Sequence, residues 1–375
     1  MEKKQIRKKR QSNFELLRII AMFFIVIHHS LVHGILTSSY STILAKSNPL
    51  SVSLFNSFAF LGKVGVYLFV LITGYFMINS NISLKKVIKL WFPVFFWSVS
   101  LTLICGTILK QISIVNIIKS CLPIFFNQYW FITVYVIMYL FIPFMNKFLT
   151  QLDIKQELFF VMLALIIIFP GEHFYGAVLL AWFDKFCIAY CFGALIRKHD
   201  LLTQHRFISL GKCLLLLGFS VDILFSFVFS YLAFKFDKIS FIKYSESSDQ
   251  GLAISCFFAA LGLFIWIGSK TLNYNHVINT IASTTFGIYL IHDNTHVESL
   301  LWLKTLHMNN LLLQPAYTIF YVLLVCVLIF SICSLMEYIR KRLFGHFENR
   351  LCNWANKYFT NLINLLSTKM ADCKK

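Results

Sequence analysis

The first apolar stretch of the chain, NFELLRIIAMFFIVIHHSLVHG, carries an arginine and a histidine on one helix face. Arg18 and His29 are eleven residues apart, which is three turns at ~100° per residue, so their side chains point the same way. The rise over that interval is ~16 Å, about half the thickness of a bilayer core. A histidine titrates near neutral pH, and His29 is therefore a candidate proton-transfer group.

Helix geometry alone leaves two interpretations of this pair open. In the first, Arg18 extends its side chain to the lipid headgroups, and His29 satisfies a buried hydrogen bond. In the second, both residues line a polar track through a helix bundle, because titratable groups inside a membrane span are costly and typical of functional sites. His33, one turn beyond His29, lies on almost the same face. Glu15 lies one turn before Arg18, where it can form an ion pair.

Further polar residues are expected at the depth of His29. His292 and Asp293 end the segment STTFGIYLIHDN, towards the same side of the membrane. Tyr129 and Trp130 open another apolar segment at that level. These two aromatic residues are also typical of an interfacial belt, in which they have no chemical role.

Two lysines are expected at the depth of Arg18, on the opposite side. Lys86 and Lys89 follow the second apolar segment in SLKKVIKLWFP. Lysines in such a position are commonly ordinary loop charges on the cytoplasmic side. Similar depth does not establish contact, so the sequence predicts two levels of polar residues rather than one assembled site.

The composition excludes a water-soluble protein. Hydrophobic residues make up 58% of the 375 residues and charged residues only 13%, about half the charged fraction of an ordinary soluble domain. The net charge of +18 does not indicate nucleic-acid binding, because the basic residues fall between apolar runs rather than along one stripe. We also expect no metal, because the sequence contains neither HExxH nor a CxxC pair.

A membrane-spanning helix requires about 20 mostly apolar residues. This criterion predicts an all-α, polytopic integral membrane protein with about ten transmembrane helices in one bundle. The predicted spans are 14–36, 55–78, 88–109, 128–149, 156–170, 178–196, 208–232, 250–268, 277–299 and 311–339. The fifth is predicted to end at Pro170-Gly171. Gly62, Gly65 and Gly74 are expected where the second span closely approaches its neighbours.

The distribution of basic residues predicts that both termini are cytoplasmic. With the N-terminus inside, the segments on that side hold 24 of the 34 lysines and arginines, as the positive-inside rule requires. The chain then divides into a basic N-terminus at 1–13, a transmembrane domain at 14–340 and a basic amphipathic tail at 341–375. Apolar residues from Leu343 to Phe359 recur in this tail at roughly helical spacing, which predicts a helix lying on the inner leaflet.

The order and spacing of these motifs resemble the acyltransferase-3 family of membrane acyltransferases over roughly residues 13–340. The most specific match is the arginine followed after ten residues by a histidine, here Arg18 and His29. The family segment GVxxF…[ST]GY matches at Gly65, Val66, Phe69, Thr73, Gly74 and Tyr75. YWF…YxxxYLxxPF at 129–144 and FGIYLIHDN at 286–294 are similar to the forms in Gram-positive capsule and exopolysaccharide acetyltransferases.

The resemblance implies transfer of an acetyl group from cytoplasmic acetyl-CoA to a hydroxyl group of a cell-surface polysaccharide or its precursor. The family motif RxxR, linked to acyl-CoA binding, falls on Lys86 and Lys89, which keep the charge but lack the bidentate fork of arginine. Arg18, Lys86 and Lys89 are therefore expected to bind the donor. His29 is expected to act as a general base or to carry the acyl group transiently.

His292 and Asp293 are further candidates, expected to orient His29 or the acceptor. The implied partners are acyl-CoA, a glycan acceptor and the lipid bilayer, and the implied location is a bacterial plasma membrane. A transporter or flippase for a small anion or a lipid-linked sugar is an alternative, since buried histidine and arginine also suit a substrate pathway. No paired halves or corresponding broken helices recur in the sequence to favour it. A structural or sensor subunit would explain the hydrophobicity but not the motifs.

Overall fold

The computed structural model describes residues 10–37, 49–80, 84–175, 182–238, 240–241 and 253–372, and these residues form helices without any β-strand. In chain order the α-helices are α1 Ser12–Val32, α2 Pro49–Ala59, α3 Leu61–Met77, α4 Leu84–Ile108, α5 Ile114–Cys121, α6 Trp130–Gln151, α7 Ile154–Tyr175, α8 Phe183–Lys198, α9 His205–Phe236, α10 Ala253–Gly268, α11 His276–His292, α12 Thr295–Glu298 and α13 Thr318–Asp372. The predicted all-α fold class is confirmed.

Six helical stretches within these described ranges are long and apolar enough to cross a membrane. They are Ser12–Thr37, Pro49–Met77, Lys85–Ile108, Trp130–Gln151, His205–Phe236 and Thr318–Phe359. They are consistent with the predicted all-α membrane protein. The other four predicted spans overlap α7, α8, α10 and α11, and positions 178–181 and 250–252 of these spans lie outside the described residues. The total of ten stays a prediction.

Several helices extend beyond the predicted spans. α7 ends at Tyr175 rather than at Pro170-Gly171, and α4 begins at Leu84, so that Lys86 and Lys89 lie on its first two turns rather than in a loop. The reason is physical: hydropathy locates apolar side chains, whereas backbone hydrogen bonds of a helix continue through polar residues and through an occasional proline.

α13 continues without a break across the predicted boundary at residue 340. Arg340 is buried, and its guanidinium binds Glu337 at 2.8 Å and Glu348 at 3.1 Å. Trp97 of α4 donates a hydrogen bond to Glu337 at 2.7 Å. The sequence places Arg340 among the cytoplasmic charges next to the tail. In the structure it is part of a buried ion-pair network that holds α13 against α4.

α1 lies at the centre of the bundle and contacts α2, α3, α10, α11 and α13. Its contact with α3 depends on two glycines. A Cβ atom at Gly62 would overlap the ring of His28, and one at Gly65 would overlap the backbone carbonyl of Ala21. The predicted close approach of helices at these glycines is therefore confirmed, and it brings the polar face of α1 against α3.

α1 and α11 begin together and run parallel. The Ser12 hydroxyl accepts a hydrogen bond from the backbone N–H of Asn275 at 2.9 Å, and Asn275 also caps α11 by accepting from Ile278 N–H. His29 and His292 each lie 17 residues beyond these tied positions. Because both helices rise ~1.5 Å per residue, the two histidines are placed at the same depth.

Candidate active site

A cavity of about 600 Å³ lies beside α1 and contains both residues of the predicted pair in its wall. Arg18 lines the part near the start of α1, and His29 lines the part near its end. Apolar side chains of α1 and α3, including Met22, Ile25 and Val66, line the stretch between them. The structure thus brings Arg18 and His29 into one continuous space, as the polar-track interpretation expects.

His29 is buried and held at one ring nitrogen by two residues that follow each other at the end of α11. Its Nδ1 atom lies 2.9 Å from Nε2 of His292 and 3.2 Å from Oδ1 of Asp293. Neither partner lines the cavity; both lie behind His29. His29, His292 and Asp293, which the sequence predicts at similar depth, are in direct contact in the structure.

The hydrogen bonds around His292 assign the protons on both rings. Nδ1 of His292 lies 2.6 Å from the carbonyl oxygen of Ile288, and a carbonyl only accepts, so this nitrogen carries the hydrogen. A neutral His292 then has a lone pair on Nε2, which accepts a hydrogen bond from Nδ1–H of His29. Asp293 is also an acceptor. His29 therefore carries its hydrogen on Nδ1, which leaves the lone pair on Nε2.

The end of α11 is fixed by a buried tyrosine at the start of α6. The Tyr129 hydroxyl donates to the carbonyl oxygen of Leu290 and accepts from the Asn294 side chain, both at 3.0 Å. Tyr129 is only 2% exposed, and Trp130 beside it lines the cavity. An interfacial belt therefore does not describe these two residues: one supports the segment that carries Asp293, and the other is cavity wall.

A further acid–histidine pair lies beside this group. Nδ1 of His33 is 2.8 Å from Oε1 of Glu298, and Nε2 of His33 is 4.0 Å from Oδ1 of Asp293. Potential ligand atoms of His29, His33 and Asp293 all lie within 4.8 Å of one another. The helical spacing places His33 on almost the same face of α1 as His29. No sequence pattern singles out Glu298, which follows α11 by six residues.

At the Arg18 end the cavity wall carries two arginines and one glutamate. Arg18 pairs with Glu15 at 2.6 Å, as the sequence predicts, and Arg10 approaches the same carboxylate at 3.7 Å. Lys341 of α13 donates a hydrogen bond to the carbonyl of Ser283, another cavity residue. This end therefore has an excess of positive charge, which suits an anionic ligand.

Lys86 and Lys89 lie outside the cavity wall. Both side chains are exposed on α4, and Nζ of Lys86 is 3.6 Å from the sulfur of Met77. The next residue after Lys89, Leu90, does line the cavity. The two lysines are thus close to the cavity along the chain, while Arg10 and Arg18 are the cations that line its Arg18 end.

Lys63 and Trp182 are cavity residues that sequence analysis missed. Nζ of Lys63 lies 4.4 Å from the centre of the Trp182 ring, within range of a cation–π interaction. Both residues share the cavity with His28 and His29. A lysine inside the apolar segment GKVGVYLFVLITGY was itself a signal, because a charge in a membrane span usually faces a polar space.

A family model described as an acyltransferase domain matches residues 11–337 of the chain. The matched range includes His29, His292, Asp293, Arg18 and the two lysines of α4, whereas Arg10 and Lys341 lie outside it. Comparisons with curated proteins and with solved structures found no match.

Proposed function

Because this chain belongs to the acyltransferase-3 family of membrane acyltransferases, we propose that it moves an acetyl group from cytoplasmic acetyl-CoA to a hydroxyl group of a cell-surface polysaccharide or its precursor. The observation that carries this proposal is the single cavity that joins an arginine-lined end to the Nε2 side of a buried histidine. Family membership favours this enzyme over the transporter alternative.

The donor is proposed to enter from the Arg18 end. Arg10 and Arg18 line this end of the cavity, and arginine binds phosphate oxygens through a planar fork of donors. Lys86 and Lys89, on the exposed side of α4, are proposed to contact parts of CoA that remain outside the cavity. The apolar middle of the cavity then accommodates the pantetheine chain, whose thioester end reaches His29.

The reaction itself needs a lone pair on His29 Nε2. In the base route, Nε2 accepts the proton of the acceptor hydroxyl while that oxygen attacks the thioester carbonyl carbon. The C–S bond of the resulting intermediate breaks, and the departing CoA sulfur takes the proton back from Nε2–H. In the carrier route, Nε2 attacks the carbonyl carbon itself and the C–S bond breaks, which releases CoA thiolate. The hydroxyl oxygen then takes the acyl group as the bond to Nε2 breaks, and the hydroxyl proton passes to the CoA sulfur. Both routes give an ester and CoA thiol.

Two kinds of charge stabilisation are proposed around this step. Asp293, 3.2 Å from Nδ1 of His29, stabilises the positive ring that forms when Nε2 takes a proton. Lys63, in the same part of the cavity wall, places a positive charge where the carbonyl oxygen becomes negative. His292 keeps Nδ1 protonated and thereby keeps Nε2 available.

The acceptor is proposed to enter from the His29 end. Trp130 and Trp182 line this part of the cavity with ring centres 5.3 Å apart, and Tyr289 lies 6.4 Å from the His29 ring. Aromatic walls with a few polar groups are typical of small-molecule sites and suit the apolar faces of a sugar ring. With both termini cytoplasmic, this end faces outward from the plasma membrane, where surface glycans are assembled.

The test is replacement of His29 in the purified full-length protein. With acetyl-CoA and an acceptor glycan, His29→Ala is expected to lower CoA thiol release by at least ~100-fold, the usual minimum contribution of a general base. His29→Gln keeps a polar side chain without a basic nitrogen and is expected to be equally inactive.

His296→Ala removes a histidine outside the cavity and is the matched control. In cells, His29→Ala is also expected to abolish acetyl groups on the surface glycan. Normal acetylation by a stably expressed His29→Ala protein would exclude the role assigned to His29, and ion-driven solute uptake in vesicles without CoA release would favour a transporter.

A further inference from the structure

His29, His33 and Asp293, at the His29 end of the cavity, offer a set of metal ligands. Oδ1 of Asp293 lies 3.2 Å from Nδ1 of His29 and 4.0 Å from Nε2 of His33, and the three groups lie within 4.8 Å of one another. A metal held at ~2.0–2.1 Å by tetrahedral ligands separates neighbouring ligand atoms by ~3.4 Å. The widest separation of 4.8 Å therefore has to close by about 1.4 Å to surround an ion, which two side-chain movements of about 0.7 Å each provide.

Glu298 orients His33 as a metal ligand. Its carboxylate lies 2.8 Å from Nδ1 of His33, so that this nitrogen carries the hydrogen and Nε2 presents a lone pair towards Asp293. A carboxylate that holds the non-ligating nitrogen of a histidine is the usual support of a zinc-binding histidine. Two imidazoles and one carboxylate, with a fourth position left for water, are a donor set that suits zinc.

We propose that a divalent transition-metal ion, zinc above all, binds at His29, His33 and Asp293 and switches the acyltransferase off. Metal coordination at Nδ1 of His29 requires the lone pair at that atom, so the hydrogen moves from Nδ1 to Nε2. Nε2 is the atom that must accept a proton or attack the thioester, and a protonated Nε2 does neither. The ion and the reaction thus require opposite tautomers of one ring; this consequence rests on the proposed function, whereas metal binding does not.

The site has an open side through which an ion can enter. The His33 and Glu298 side chains are 30% and 31% exposed, while those of His29 and Asp293 are 8% and 10% exposed. An ion would therefore meet His33 first and then the two buried ligands. The route does not pass through the Arg18 end of the cavity, so bound acyl-CoA is not expected to exclude the ion.

Binding is tested on the full-length protein in detergent, with any polyhistidine tag removed. Co²⁺, which takes the same geometry, is titrated and followed by its visible absorption, and Zn²⁺ is then used to displace it. One equivalent is expected to bind. His33→Ala is expected to abolish this binding and Glu298→Gln to weaken it by roughly 10- to 100-fold. His296→Ala is the matched control and should bind normally. Absence of saturable binding, or binding that His33→Ala leaves intact, overturns the site.

Inhibition is tested separately on CoA release. Zn²⁺ at saturating concentration is expected to lower the rate of the wild-type protein by at least tenfold, and a chelator should restore it. The rate of His33→Ala should be the same with and without Zn²⁺. Binding without inhibition overturns the proposed switch, whereas inactivity of metal-free wild-type protein overturns the proposed function and leaves the Co²⁺ titration as the test of the site.

Discussion

Nδ1 of His29 lies 2.9 Å from Nε2 of His292, although 263 residues separate the two histidines. The contact arises because Ser12 and Asn275 tie the starts of α1 and α11 together, and because both histidines lie equally far along their helices. The Ile288 carbonyl then fixes the proton on His292, and this in turn leaves Nε2 of His29 free of hydrogen. A backbone carbonyl of α11 thereby determines which ring nitrogen of His29 on α1 carries the lone pair.

Removal of His292 is expected to reduce turnover without weakening donor binding. In His292→Ala, Asp293 still accepts from Nδ1 of His29, so the loss should be smaller than the ~10⁴-fold effect of a wrong tautomer in a Ser-His-Asp triad. We expect kcat to fall roughly 10- to 100-fold, with KM for acetyl-CoA nearly unchanged. The measurement is steady-state CoA release at varied acetyl-CoA.

In the double variant His292→Ala with Asp293→Ala, both acceptors for Nδ1 of His29 are lost, and the decrease in kcat should exceed the product of the single effects. An unchanged kcat in His292→Ala would contradict the orienting role.

Arg18 in the cavity wall is expected to matter more for donor binding than the lysines on α4. Arg18→Ala removes a charge-assisted hydrogen bond of ~1.5–3 kcal/mol, so acetyl-CoA affinity should fall roughly 10- to 100-fold. The pair Lys86→Ala with Lys89→Ala should have a smaller effect that disappears at high salt, because both side chains are exposed. Calorimetric titration of acetyl-CoA at low and high salt measures both. A larger loss in the lysine variant would place the phosphates on the α4 surface.

The chemical groups of the site could be predicted from the sequence, whereas their contacts could not. A histidine or an arginine inside a membrane span is conspicuous by its cost, and this identified Arg18, His29 and His292. Hydropathy fixes the depth of a residue but not the rotation of its helix, so the pairing of His29 with His292 required the structure. Arg10 escaped notice because it lies in a basic terminus where one arginine resembles the next.

The contact of α1 with α3 is expected to tolerate no added methyl group. In Gly65→Ala, the new Cβ atom would overlap the Ala21 carbonyl and lie 2.9 Å from Ile25, an overpacking that costs ~1–3 kcal/mol. Gly345→Ala is the matched control, because nothing lies within 4 Å of that position on α13. We expect the first variant to lower Tm in detergent by several degrees and the second to keep or raise it, since alanine favours helix. Equal Tm values for both variants would contradict the tight packing.

Two local sequence patterns predict the wrong surroundings for a residue: the basic residues that begin at Arg340, and the aromatic pair Tyr129-Trp130. Basic residues after an apolar span are typical of a cytoplasmic tail, yet Arg340 is buried because Glu337 and Glu348 of the same helix provide counter-charges. Tyr129 resembles a member of an interfacial belt because it lies where polar Asn127 and Gln128 give way to an apolar segment. Its actual partners, Leu290 and Asn294, are about 160 residues away. Both outcomes depend on packing partners that sequence spacing does not reveal.

The Tyr129 hydroxyl is expected to contribute to turnover through the end of α11. Tyr129→Phe keeps the buried ring but removes the hydrogen bond to Leu290 and the acceptor for Asn294. Each hydrogen bond is worth ~0.5–1.5 kcal/mol, and their loss loosens the segment that carries Asp293. We therefore expect kcat for CoA release to fall several-fold, with KM for acetyl-CoA unchanged.

Tyr321→Phe, at an exposed position on α13, controls for loss of a hydroxyl elsewhere in the membrane domain and should have wild-type kinetics. If Tyr129→Phe also has wild-type kinetics, the hydroxyl has no role in turnover. The position of Asp293 must then be set by the α11 backbone and by Asn294, whose side-chain oxygen accepts from His296 N–H.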